Sequence, residues 1–391
     1  MMANVATTTC AMIALAALTP AASAQWTVTN LHPAGATESS ARATSGGQHV
    51  GSAELGGVFR ASLWNGTTVS RVDLHPAGAT LSVALGITSG QQGGIAQLEG
   101  VYRASLWSGT AASRVDLHPT GATYSIAQTV GGGQQGGFAD VGGVQRASVW
   151  TGTAASWVDL NPAGSTGSDV YAVSGGRQAG YVEVGGVIRA SLWSGTAASW
   201  VDLRPAGSVI SIAYAAYGTQ QAGSSSTGIA NHAGLWSGTA ASWVDIHPAG
   251  ASYSEAFAII DGYQAGFARV GSADRASVWS GTAASWVDLH AFLPAAFTSS
   301  RATGVSSDGA NLFVTGTGAN SSTGRDEALL WTRPVPCRAD FNGSGGLEVQ
   351  DIFDFLNAWL AGDPRANFNG VNGLEVQDIF DFLNAWLAGC P

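Results

Sequence analysis

The chain has 391 residues, 54 of them glycine, with 16 basic side chains that are all arginine. Its formal net charge of −10 excludes the basic surface with which nucleic-acid binders displace counterions. Charged residues make up only 11% and apolar ones 45%, so the chain can bury a core and is not a disordered glycine-rich tract.

The N-terminal segment is rich in Ala, Leu, Thr, Met and Ile and ends in Ala22-Ser23-Ala24. That is an A-x-A cleavage pattern, although no Lys or Arg precedes it. It predicts a signal peptide over residues 1–24, Gln25 as the first mature residue, and a secreted, extracellular or cell-surface protein. No later run of 18 apolar residues exists, so no transmembrane segment is expected. Cys10 would leave with the signal. Cys337 and Cys390 remain, and an even pair in an exported chain reads as a disulfide.

Residues 25–333 are a repeat. Arg60-Ala61-Ser62-Leu63-Trp64 returns at Arg103, Arg146, Arg189 and Arg275, and His232-Ala233-Gly234-Leu235-Trp236 fills the remaining 43-residue slot. Glu327-Ala328-Leu329-Leu330-Trp331 is a seventh copy. A second column, Val72-Asp73-Leu74-His75-Pro76, follows the same period. Each unit holds short alternating runs bounded by Gly, Ser or Pro, with no helical stripe. This predicts an all-β, seven-bladed β-propeller with four strands per blade. Three-stranded blades or an open β-solenoid are the alternatives. The last unit lacks a fourth strand and the segment 26–31 lacks the preceding three, so the N-terminus should complete the last blade and close the ring.

These motifs resemble the HAF family of extracellular repeats, His232 to Trp236 being the copy nearest its name-giving pattern. The resemblance implies an extracytoplasmic location and supplies no catalytic residue.

The tryptophans at 64, 107, 150, 193, 236, 279 and 331 read as packing between blades. A second column, Trp157, Trp200, Trp243 and Trp286, is Arg71 and Arg114 in two other units. That exchange predicts partial exposure, hence an aromatic arc for a ligand. The Leu-His-Pro histidines alternate with Asn161 and Arg204 and read as polar turn residues rather than metal ligands. The repeated Arg and Asp read as structural ion pairs. After the recurring first-strand serine, the chain reads Ser40, Val83, Ile126, Asp169, Ile212, Glu255 and Arg301. Asp169, Glu255 and Arg301 are thus unique charges expected near the channel, and paired carboxylates are what glycoside hydrolysis needs. No Ser/His/Asp order, Asp-box series or zinc spacing marks an enzyme, and no catalytic residue is assigned.

After a linker at 334–336, residues 337–391 change character. Gly346 to Gly362 is repeated at Gly373 to Gly389. In the first loop, Asp340, Asn342, Ser344, Gly346 (through its carbonyl), Glu348 and Asp351 fall at EF-hand positions, with Gly345 at the sharp turn, so a calcium ion is expected. In the second, Asn367, Asn369, Gly373, Glu375 and Asp378 keep their places. Val371 and Asn372 depart from the pattern and predict weaker binding or none. Each loop leads into an amphipathic helix, Ile352, Phe355, Leu356, Trp359 and Leu360 forming one stripe and Ile379, Phe382, Leu383, Trp386 and Leu387 the other. Phe353 and Phe380 fall off the stripes as candidate partner contacts. The module resembles a GC-type dockerin through Asp340-Phe341-Asn342-Gly343, Val349 to Leu356 and Gly389-Cys390. That resemblance implies a cohesin-like partner.

The expected function is a secreted or surface-tethered, non-catalytic propeller anchored by a calcium-dependent dockerin and binding a polysaccharide or a surface protein. The alternative is a polysaccharide-degrading propeller enzyme using the channel carboxylates, and a third class is a passive spacer.

Overall fold

The computed structural model describes residues 25–335, 337–368 and 373–389. They form two compact units, one of residues 26–335 and one C-terminal. The first consists of seven four-stranded antiparallel sheets, so the 43-residue period is one propeller blade. Blade four shows how the sequence specifies it. Its strands are Gly167–Ser174, Arg177–Val184, Val187–Trp193 and Val201–Asp202. The first two are joined by Gly175-Gly176, both with positive φ, the two-residue hairpin turn whose twist matches that of the strands. A single helical turn, Ala197–Ser199, precedes the short outer strand. There the Ser199 hydroxyl donates to the Thr196 carbonyl at 2.6 Å and accepts the Ser194 N–H at 2.8 Å.

The ring closes as expected. Blade seven is built from Phe297–Ser307, Asn311–Asn320 and Arg325–Pro334, and its fourth strand is Thr27–Asn30. Val28 lies opposite Trp331 and Asn30 opposite Leu329. The innermost strand of every blade packs beside that of the next, and blade seven's beside blade one's. No sheet edge is left between first and last units, and the open-solenoid alternative falls.

Each ring tryptophan, from Trp64 to Trp331, is buried to within 1% between blades. Trp236 of blade five, for instance, packs on Ala179, Ala190, Leu192 and Leu203 of blade four. The Arg and Asp columns meet in the outer sheet as ion pairs of 2.7 to 3.3 Å, such as Arg189 with Asp202 and Arg103 with Asp116.

The histidine column is more than a turn. His75 of blade one meets Ser82 of blade two through Nδ1 at 2.8 Å, and its Nε2 faces the Ala79 carbonyl at 3.0 Å. Ser82 Oγ also accepts the Ala61 N–H at 2.9 Å. A carbonyl can only accept, so Nε2 carries the proton and Nδ1 accepts from the serine. The same latch recurs at His32, His118 and His247. In blade three Asn161 replaces the ring, accepting from Ser168 at 2.6 Å. These Ser–His contacts are not catalytic: each serine oxygen accepts a backbone N–H while its hydroxyl is committed to the ring.

The C-terminal unit contains helix α1, Val349–Leu360, and helix α2, Val376–Ala388. Phe355 and Phe382 stack at 4.1 Å and 4°, with Phe341 and Phe368 packed edge-on around them. Trp359 donates to the Glu375 carbonyl and Trp386 to that of Glu348, at 3.0 and 3.1 Å. Leu360 and Leu387, expected inside the stripes, are exposed instead, because each lies within the last two residues of its helix and the loop phenylalanines fill the seam. Among the described residues no helix is long and apolar enough to cross a membrane.

Candidate functional site

The seven innermost strands surround an axial lumen of about 410 Å³. Their outer edges pair with the second strands; their inner edges carry unpaired backbone groups toward the axis. Every inner strand contains a β-bulge at the same register, and those of blades one, three and seven have a second irregularity near their start; a bulge re-aims the extra residue. The bulged residues are Arg42, Leu85, Gln128, Tyr171, Tyr214, Phe257 and Thr303, and all seven line the lumen. A glycine in each second strand permits the close approach: a Cβ on Gly180 would run into the Asp169 carbonyl.

The lumen is chemically two-sided. Tyr171 and Tyr214 have ring centroids 5.4 Å apart, and Tyr214 meets Phe257 edge-on at 5.1 Å. Blades four to six thus present a continuous aromatic wall, extended behind by Phe267, 5.7 Å from Phe257. Across it, on blade one, stands Arg42. It makes no ion pair among the described residues; enclosure by the protein lowers its pKa, and Glu38 partly offsets that effect. Burial also pushes the Tyr171 and Tyr214 phenols well above their ordinary value, with Asp169 the next contributor for Tyr171 and Glu255 for Tyr214.

The structure does not gather the three unique charges expected at the channel. They sit two residues before the bulge and point between blades, so none lines this lumen. Asp169 is buried among Gln128 and Gln145 of blade three, whose amides donate to Oδ2 at 3.3 and 3.4 Å, while Oδ1 finds no partner. Burial raises its pKa to about 8, against the smaller opposing effect of the Gln128 bond. Glu255 lies two blades away, accepting from Asn231 at 2.7 Å and Tyr253 at 2.8 Å. Arg301 pairs with Asp274, Nε to Oδ2 at 2.8 Å, and covers the Phe267 ring at 4.3 Å.

The second tryptophan column lies on the outer part of the blades, each ring half-buried. Trp157, Trp200 and Trp286 donate their indole N–H to Ser148, Ser191 and Ser277 at 2.8 to 2.9 Å. Arg71 and Arg114 give the same bond to Ser62 and Ser105, which explains the Arg-for-Trp exchange. Trp243 faces Gly234 instead of a serine and tilts onto Trp236, centroids 4.4 Å apart.

In the C-terminal unit the first loop folds on itself. The Ser344 N–H reaches Asp340 and Asn342 at 2.9 and 2.8 Å, and the Ser344 hydroxyl reaches Glu348 at 3.1 Å and the Gly346 carbonyl at 3.4 Å. Asp351 is fully buried and accepts the N–H groups of Asn342 and Glu348. Among the described residues, no three carboxylate, imidazole or thiol groups converge to hold a metal. In the second loop Glu375 donates its N–H to Asp378 at 2.7 Å, and Asn367 and Gly373 flank a stretch in which Asn369 lies outside the described residues. Cys390 and the 1–24 segment also lie outside them. Phe353 and Phe380 are exposed, each by 56%.

The lumen ring is hidden in the sequence because alternation puts residues 169 and 171 on one face and cannot show that the bulge turns only the second toward the axis. The recurring second-strand glycine was the available signal.

No protein-family model matches the chain, and no curated protein matches it. Solved structures do. The β-propeller domain of the Trilobed protease from Pyrococcus furiosus, described as having an open velcro topology, is 10% identical with a TM-score of 0.50, over 76% of this chain and 94% of that one. An acylaminoacyl peptidase in complex with a chloromethyl ketone is 10% identical with a TM-score of 0.51, over 76% and 52%. Puromycin hydrolase is 10% identical with a TM-score of 0.48, over 74% and 53%. The chain therefore spans about half the length of the latter two enzymes, and the likeness carries the fold. It corrects the expectation of a non-catalytic, dockerin-anchored binder with a polysaccharide-degrading alternative: the chain is a closed seven-bladed β-propeller similar to those of peptidases.

Proposed function

We propose that the chain is a peptidase-type propeller whose lumen takes up an extended peptide segment. The observation that carries this is the bulged ring, one residue per blade, with Arg42 facing the Tyr171, Tyr214 and Phe257 wall. Seven unpaired strand edges offer donors and acceptors to a peptide backbone, the aromatic wall takes apolar side chains, and Arg42 takes a carboxylate. The likeness to peptidase propellers supports the same substrate class. The test is titration of a fluorescent, acidic, aromatic-containing peptide. Binding should weaken at least tenfold in Tyr214→Ala and in Arg42→Gln. Absence of binding at millimolar peptide refutes the reading.

For the remaining sequence we propose HAF-type repeats in an exported protein, a Cys337–Cys390 disulfide, and a dockerin-type helix pair, for which a cohesin-like partner would use Phe353 and Phe380. Asp340, Asn342, Ser344, the Gly346 carbonyl and Glu348 lie along one loop and form the oxygen set a calcium ion prefers. Asp351 would have to release a backbone N–H to join them.

A further inference from the structure

Blade five departs from the repeat at three positions on one face. Where five other blades pair Ala or Val with Arg across the second and third strands, as in Ala139 with Arg146 and Val182 with Arg189, blade five pairs Ser225 with His232. Where those five carry Ser before the Leu/Val-Trp pair, it carries Gly234. The aspartate of the outer strand is kept as Asp245, directly opposite Gly234. An inert Ala/Arg/Asp set has become Ser/His/Asp.

The geometry fits nucleophilic chemistry. His232 Nδ1 meets Asp245 Oδ2 at 2.8 Å. A carboxylate accepts, so Nδ1 carries the proton and Nε2 is left as a base. The ring stacks on His247 at 3.9 Å and 9°, which fixes its plane. Ser225 and His232 are cross-strand partners on one face, where Cβ atoms lie about 5 Å apart. The Ser225 side chain is 8% exposed and its hydroxyl donates to Ser208 Oγ at 2.9 Å, so attack requires it to leave that bond and turn to the imidazole. Both serines, His232, Asp245 and Trp243 line one cleft of about 240 Å³. Trp243 forms its wall because Gly234 leaves room: a Cβ there would run into the indole.

We infer that this cleft is an acyl-transfer site for short-chain carboxylic esters, with Ser225 the nucleophile, His232 the general base and Asp245 a positioning residue. Ser225 Oγ bonds to the ester carbonyl carbon while His232 Nε2 takes its proton. The C–O bond to the alcohol breaks, and the same proton passes to the departing oxygen. Water then attacks the acyl-serine, His232 takes its proton and returns it to Ser225, and the carboxylic acid leaves. The site stands on blade five alone and does not depend on the lumen's role.

The experiment uses the full chain, a fluorophosphonate probe and p-nitrophenyl acetate. The probe should label Ser225, located by mass spectrometry. Ser225→Ala and His232→Arg should each lower turnover at least a hundredfold. His232→Arg restores the Arg–Asp pair of the other blades, so its melting temperature should match or exceed that of the parent. Asp245→Asn should lower kcat with KM unchanged. Labelling at another residue, or full turnover in folded Ser225→Ala or His232→Arg, overturns the assignment.

Discussion

Replacing Asp169 by Asn should stabilise the propeller, and the gain should grow with pH. The carboxyl is 2% exposed and meets two long side-chain amide contacts, with the Val170 N–H a weaker third influence, while Oδ1 has no hydrogen-bond partner. Burial raises its pKa from 3.8 to about 8. The native state therefore holds a proton that the unfolded state lacks between those values. Stability from this group is complete below the unfolded value and is lost as pH rises through the folded one. Each pH unit in the window is worth about 1.4 kcal/mol, so at pH 7 the retained proton costs about 4 kcal/mol. Asn keeps an oxygen for Gln128 and Gln145 but buries an unpartnered NH2, a cost of about 1–3 kcal/mol. The net gain at pH 7 is then about 2 kcal/mol, and the difference between variant and parent should widen by about 4 kcal/mol from pH 5 to pH 8. Urea unfolding of both proteins at those two pH values measures it. A pH-independent difference, or an Asp169→Asn variant less stable than the parent at pH 8, refutes the argument.

The histidine latches should set the acid limit. Burial lowers the pKa of His32, His75 and His247 below 6.5. Their contribution is present above 6.5 and lost as pH falls through the folded values, since a protonated ring cannot accept from its serine. His75→Asn, copying Asn161, should move the acid-unfolding midpoint by circular dichroism to lower pH. Gly234→Ala should destabilise by about 1–3 kcal/mol through the clash with Trp243, a shift readable in thermal melts, while Ser191→Ala on blade four should cost less. Millimolar calcium should raise the melting temperature of the C-terminal unit relative to EDTA, and Asp340→Ala should abolish the difference.

Much of the propeller was legible because periodicity is an integral property of the chain. The Trp column, the Gly turns and the orphan strand at 27–30 each required the same closed ring. The lumen was not legible, because a bulge shifts side-chain facing by a local backbone choice that alternation cannot show. Asp169 and Glu255 share a ring position but belong to interfaces two blades apart, so equivalence in sequence did not mean proximity in space. Blade five is obscured for the opposite reason: His232 stands in the repeat as one more copy, and its pairing with Ser225 appears only when the strands are laid side by side.

Photo-crosslinking tests uptake by the lumen most directly. A peptide carrying benzoylphenylalanine is irradiated with the full chain and the adducts are mapped by mass spectrometry. The lumen reading requires adducts on Tyr171, Tyr214 or Phe257, suppressed by excess unlabelled peptide. Adducts confined to the outer faces of the blades would contradict it.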